Sequence, residues 1–330
     1  MELGQRIAVA DLGTNSTRLL VAELGPAGLL TEVHRRTEVT RLGDGVDATG
    51  MLADDAMARV LNTLHAYRRL ADELGAVRAI AVATSAVRDA RNGQELEPRV
   101  REEAGFDVRT ISGDEEARLT FLGATSARQD AGATLVIDIG GGSTEYVVGR
   151  PGHPPGFHVS TRLGSVRHTE RCISSDPPSD EDLEALAGAA RQIVAAGAPA
   201  EVREEVNAGI AVAGTATSLA AIDQALDPYD PGRVHGYRLE LGACQRMLTT
   251  LAAAPLEERR AIPGLHPDRA PTIVAGAVIL IESMHAFGLG SVETSEADLL
   301  HGAALEALGK DGATRGRRVR QISDGPPPSG

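Results

Sequence analysis

Apolar residues along the chain fall into two rhythms, short dense runs and wider helical spacings, and their alternation predicts an α/β protein. Residues 7 to 41 read as three strands in a meander, with a break at Gly25 and Pro26. Met57, Val60, Leu61, Leu64 and Leu74 then recur at helical spacing, so 54–74 reads as a helix with Asp54 as N-cap and Gly75 as its stop. Residues 77 to 92, VRAIAVATSAVRDARN, run from a strand into a loop and helix that puts Arg88 and Asn92 on one solvated face. A strand at 107–111 leads to SGDEEARLTFLGA, whose Asp114, Glu115 and Glu116 suit the positive end of a helix dipole. The polar stretch 126–133 is the candidate domain boundary. Beyond it, strands continue to about residue 162, and a Pro-rich loop then opens the helix of EDLEALAGAARQIVAA. NAGIAVAGTATSLAAIDQAL reads as strand, Gly-Thr turn and helix. Helices at about 242–253, 268–287 and 297–308, with a strand at 291–295, complete the pattern.

Two of the dense runs end alike. In VIDIGGGSTE, residues 136–145, a buried strand meets an aspartate and three glycines; VADLGTNSTRLLV, residues 9–21, repeats that plan. Aligning Asp11 with Asp138 places Gly13 on Gly140, Ser16 on Ser143 and Thr17 on Thr144. Gly140, Gly141 and Gly142 remove every Cβ from the second turn, so its backbone can adopt positive φ and bring N–H groups close to an anion. Two such units predict duplicated lobes facing each other across a cleft. An aspartate at each strand end suits a hydrated Mg²⁺ or Mn²⁺, which takes one or two carboxylates plus substrate phosphates. The alternative is an Asx-turn, each aspartate capping its own loop. Gly214 and Thr215 offer a third phosphate turn or a plain strand-to-helix connection. His235 is a candidate anion ligand or a structural histidine.

Composition narrows the chemistry. With 330 residues the chain can bury two cores, and with four Phe, four Tyr and no Trp it has few rings on which bases could stack. A formal net charge of −13 disfavours nucleic acid and anionic membranes, so a polyanionic substrate needs locally focused arginines or metal ions. Cys172 and Cys244 make neither a disulfide framework nor a zinc quartet, and a reduced cytoplasmic setting is expected. The apolar stretch from Ile273 to Ile281 is too short to span a bilayer. RGRRVRQISDGPPPSG closes the chain as a basic cluster and a Pro/Gly tail.

Taken in order, DLGTNSTRLLV, ATSAVRDARN, ISGDEEARLTFLGA, VIDIGGGSTE, AGTATSLAA, VHG and SEADLLHGAALEAL resemble the exopolyphosphatase and guanosine pentaphosphate phosphatase (Ppx/GppA) family over residues 5–309. The resemblance implies an α/β fold of two actin-like (ASKHA, ribonuclease H-like) lobes with an interdomain cleft. The lobes would be 1–128 and 129–310, with 311–330 a disordered tail. It makes Glu116 the catalytic base and assigns Thr14, Asn15, Ser16, Arg88, Gly140, Gly141, Gly142, Ser143, Thr144, Gly214 and Thr215 to substrate. Asp11, Asp138 and Glu145 would serve the metal. The implied activity is magnesium-dependent release of orthophosphate from inorganic polyphosphate. Alternatives are conversion of guanosine pentaphosphate to the tetraphosphate, a non-catalytic polyphosphate or alarmone sensor, and a kinase-like use of ATP; a homodimer is also open. Two departures stand out: Pro271 replaces a common acid, and the C-terminal HD-type region of long members is missing. Short polyphosphates and low processivity are therefore expected, with Arg315, Arg317, Arg318 and Arg320 as the remaining tail cations.

Overall fold

The computed structural model describes residues 5–25, 30–128 and 132–318, with side chains up to residue 309. Pro26 and the tail from 319 to 330, with Arg320, lie outside the described residues, as do the side chains of Arg315, Arg317 and Arg318. The first sheet has the order β3-β2-β1-β4-β5, built from β1 (Arg6–Leu12), β2 (Thr17–Leu24), β3 (Leu30–Glu38), β4 (Arg78–Ala83) and β5 (Asp107–Thr110). The second has the order β10-β11-β9-β6-β7-β8. Its strands are β6 (Thr134–Ile139), β7 (Thr144–Gly149), β8 (Phe157–Thr161), β9 (Ala208–Val212), β10 (Arg238–Glu240) and β11 (Ser291–Ser295). Each sheet begins with a three-stranded antiparallel meander and continues with two parallel strands beside the first. The repeated turn in the sequence is thus the visible part of a repeated topology.

Central strands are apolar on both sides because helices cover both faces. Along β1, Ala8, Ala10 and Leu12 meet Val60, Leu61 and Leu64 of the helix Asp54–Glu73, while Ile7 and Val9 meet Leu300, Ala303 and Ala304 of the last helix, Leu299–Arg318. Along β6, Leu135, Ile137 and Ile139 pack with the helix Ile273–Ala286, and Val136 packs with Ala117 and Phe121. Those two residues belong to the helix Gly113–Thr125, whose Leu119 joins the first sheet's cluster, so this helix contributes to both cores.

Several expected boundaries move. The last helix, expected within the lobe 129–310, covers the first sheet, because its apolar stripe fits the face of β1 left open by the helix Asp54–Glu73. It also continues to Arg318, past the expected start of a disordered tail. Ala53, not Asp54, is the N-cap of the helix Asp54–Glu73, while Gly75 stops it with φ of +73°. Residues 268–287 divide into a 3-10 turn, Pro267–Arg269, and the helix Ile273–Ala286; between them Pro271 has no N–H to continue a helical ladder. Asn92 shares no face with Arg88. The helix Ser85–Asp89 ends first, and Asn92 is buried, exchanging hydrogen bonds with the backbone of Leu52 at 2.8 and 3.0 Å.

Candidate active site

The carboxyl ends of strands from both sheets converge, the usual position for a ligand crevice in α/β folds. Following β1, β4, β6 and β9, they bring Thr14, Asn15 and Ser16, Thr84 and Ser85, Gly140 to Ser143, and Ala213 to Thr215 to one place. Glu116 enters from the first turn of the helix Gly113–Thr125, capped by Ser112, whose hydroxyl accepts from the Glu115 N–H at 3.1 Å. Asp114 and Glu115 take the outward side, near His158 and Arg109.

The two turns are built alike. The Gly13 N–H donates to Ser16 O at 3.1 Å, and the Gly140 N–H donates to Ser143 O at 2.9 Å. Each turn therefore closes on itself and leaves its middle amides for a ligand. Among the described residues, the N–H groups of Thr14, Asn15, Gly141 and Gly142 have no hydrogen-bond partner. None of these glycines has positive φ, contrary to expectation. What excludes a side chain is the approach of the other turn: a Cβ on Gly142 would lie 2.9 Å from Ser85 Oγ and 3.0 Å from Thr14 Oγ1. A Cβ on Gly141 would lie 3.1 Å from Val166 Cγ2.

The carboxylates are arranged asymmetrically on this symmetric frame. Asp11 pairs across the first sheet with Arg18; at the equivalent positions of the second sheet, Asp138 pairs with Glu145. Arg18 gives Asp11 Oδ2 two hydrogen bonds, at 2.9 and 2.7 Å, and reaches Asp298 with its third nitrogen. Asp11 Oδ1 is buried with no partner. Asp138 receives one long bond, 3.4 Å from Thr120 Oγ1, and burial pushes its pKa up to about 7 despite Arg18. Glu145 accepts from Ser160 Oγ at 2.7 Å, yet burial, with Glu116 and Asp138 nearby, holds its pKa well above the usual range. Glu116 is also raised to about 7 by burial, although Arg88 Nη1 donates to its Oε2 at 2.9 Å.

Such crowding of buried acids suits a cation. Among the described residues no three His, Cys, Asp or Glu side chains form a ready cage for a metal. A hydrated divalent ion needs fewer protein ligands. Asp138, Glu145 and the orphaned Asp11 Oδ1 fit that requirement.

Of the residues expected at the site, Asp11, Thr14, Asn15, Ser16, Glu116, Asp138, Gly140, Gly141, Ser143, Glu145, Gly214 and Thr215 line this one cleft. Arg88 reaches it through Glu116, and Gly142 backs it against Thr14 and Ser85. Thr144 does not belong to it, because its hydroxyl is buried and donates to Leu163 O in the segment after β8. His235 is structural, its Nδ1 accepting from the Glu296 N–H at 3.2 Å. Sequence reasoning missed Arg18, Ser85, Arg269 and Asp298. Arg18 had a signal, since the internal repeat puts it where the second copy has Glu145. Arg269 lies so close over Gly214 that a Cβ there would sit 1.6 Å from its Nη1, and nothing in the local sequence announces it.

Residues 20–311 match the model of the Ppx/GppA phosphatase family. The chain belongs to that family. It is 36% identical over 321 residues to exopolyphosphatase 2 of Mycobacterium tuberculosis, across 92% of this chain and 99% of that one. A solved Ppx/GppA family member from Aquifex aeolicus superposes with a TM-score of 0.79 at 31% identity, covering 93% of this chain and 98% of that chain. An exopolyphosphatase from Cytophaga hutchinsonii gives a TM-score of 0.85 at 27% identity with the same coverages. The fold is accordingly the two-lobed actin-like one, and the Ppx/GppA protein is a phosphatase, a hydrolase. Among the described residues, no helix is long and apolar enough to cross a membrane.

Proposed function

We propose that this Ppx/GppA phosphatase is an exopolyphosphatase that hydrolyses the terminal phosphoanhydride of inorganic polyphosphate, with Glu116 as general base. The observation that carries the reading is a buried carboxylate, with pKa raised to about 7, at a cleft where two phosphate-sized turns meet. The free amides of Thr14, Asn15, Gly141 and Gly142 would bind the equatorial oxygens as negative charge builds on them. Glu116 takes a proton from water, whose oxygen bonds to the terminal phosphorus. The bridging P–O bond breaks, and its electron pair stays on the shortened chain. Arg88 orients Glu116 and keeps a cation beside the phosphate. A divalent ion such as Mg²⁺ or Mn²⁺, held by Asp138 and Glu145 with Asp11 Oδ1, would supply charge neutralisation at the phosphate oxygens.

A second reading, guanosine pentaphosphate as substrate, is favoured by one feature. A cavity of about 780 Å³ shares Arg18, Gly214 and Arg269 with the cleft and has Leu226, Tyr229, Ile262 and Leu265 in its walls. Apolar walls beside a phosphate site suit a nucleoside. The deciding experiment is phosphate release, with and without magnesium, from polyphosphates of several lengths, guanosine pentaphosphate and ATP. Polyphosphate turnover exceeding that of both nucleotides supports the first reading; preferential turnover of guanosine pentaphosphate replaces it with the second.

A further inference from the structure

The two turns are joined by a route outside the catalytic cleft. Arg167, buried in the helix Ser165–Cys172 of the second lobe, donates from Nε to Gly142 O at 2.7 Å. Its Nη1 pairs with Asp47, and its Nη2 lies 3.5 Å from Asp89 Oδ2; both acids belong to the first lobe. Asp47 lies on the short helix Val46–Thr49. The segment just before that helix holds the first turn, with the Arg41 N–H on Asn15 O and the Gly43 N–H on Thr14 O, both at 2.9 Å. The path from one turn to the other is thus Gly142, Arg167, Asp47, residues 41–46, then Thr14 and Asn15. Arg171 and Arg162 add bonds to Asp47 at 2.8 and 3.3 Å from the exposed side.

We propose that Arg167 is a positioning residue for phosphate hydrolysis, and that its pairing with Asp47 forms a clasp fixing the separation of the two phosphate turns. The guanidinium suits this task because its fork satisfies a carbonyl and a carboxylate together, which a lysine ammonium cannot do with the same fixed geometry. Arg167 itself does not line the catalytic cleft; the Gly142 carbonyl it holds lies between Gly141 and Ser143, which do. Transition-state stabilisation by fixed amides depends on their spacing, and displacement of about 1 Å can reduce turnover by about 10²-fold. The proposal rests on reading the cleft as the phosphate site.

The test uses the full chain with Asp47→Asn, Arg167→Gln, Arg167→Lys and the double variant Asp47→Asn/Arg167→Gln. Amide hydrogen exchange is followed in residues 11–17 and 138–144, and kcat and KM are measured on inorganic polyphosphate. Each single loss of the pair is expected to speed exchange in both turns, including the one in the unmutated lobe. It should also lower kcat by about 10- to 100-fold with a smaller change in KM. The double variant should be no worse than the poorer single one, and Arg167→Lys should recover only part of kcat. Faster exchange confined to the mutated lobe, or additive losses in the double variant, would overturn the clasp. Asp47→Asn alters a small helix at the lobe surface, so it keeps the test decisive if the Arg167 variants fail to fold. Exchange needs no turnover. An inactive wild type would therefore sink the substrate reading, while the cross-lobe exchange would still support or reject the clasp.

Discussion

Glu116 is expected to set the lower edge of the activity profile. Burial raises its pKa to about 7, so the basic, charged form is lost as pH falls through that value and kcat should fall with it. Arg88 stabilises the charged form, hence Arg88→Met should move this acidic limb to higher pH; an unmoved or downward-shifted limb would contradict the pairing. Glu116→Gln should lower kcat by about 10²- to 10⁴-fold with KM nearly preserved, which steady-state kinetics on polyphosphate can check. The acids near the metal should respond unequally. Asp11 already has Arg18, whereas Asp138 faces Glu145. A magnesium titration of activity should accordingly shift further for Asp138→Asn than for Asp11→Asn, and equal shifts would refute the asymmetry. At this scale the sequence made most of the cleft legible, because the same turn occurs twice, each time with an aspartate at the strand end. Arg269 and Asp298 were hidden because they arrive from distant chain segments, and Thr144, given to substrate by the resemblance, already belongs to β7 and turns its hydroxyl to Leu163 O.

Helix packing, rather than helix propensity, positions the base. The helix Gly113–Thr125 crosses the last helix with no room for side chains: a Cβ on Gly302 would lie 1.8 Å from Leu119 O, and one on Gly123 would lie 2.0 Å from Asp298 O. One partner carries Glu116 and the other begins beside Asp298, the acid that holds Arg18. Gly302→Ala should therefore destabilise the fold by about 1–3 kcal/mol, read from the urea midpoint, and should reduce kcat beyond the loss of folded protein. A variant with unchanged stability and turnover would show that the helices can separate freely. The helix Asp54–Glu73 and the end of the strands near residue 162 were legible to within a residue or two, whereas the first meander stops at Glu38, short of the expected residue 41, and the second was read only as strands. The crossing glycines were not, since a glycine within a helix signals nothing until its neighbour is known. The division around Pro271 shows the reverse case, in which a visible residue was present but its consequence for the helix start depended on local backbone geometry.

The whole molecule repeats one five-strand plan, to which the second sheet adds β10 antiparallel to β11, but the chain does not visit the two sheets in simple succession. It builds the first sheet, crosses into the second, and returns so that Leu300, Ala303 and Ala304 cover Ile7, Val9 and Leu20. Deleting residues 299–330 would leave every strand in place yet uncover that face, and such a protein should be insoluble or lose its cooperative melting transition. A sharp melt and a soluble monomer after the deletion would contradict this account of the core. The sequence pattern located the final helix but not its partner, because an apolar stripe specifies that it must be covered without specifying by what. In a cell, that return path becomes a matter of timing. At roughly 5–20 residues per second, β1 waits on the order of 15 to 60 s for the helix that covers its second face, and the whole second sheet is synthesised before that face can be shielded.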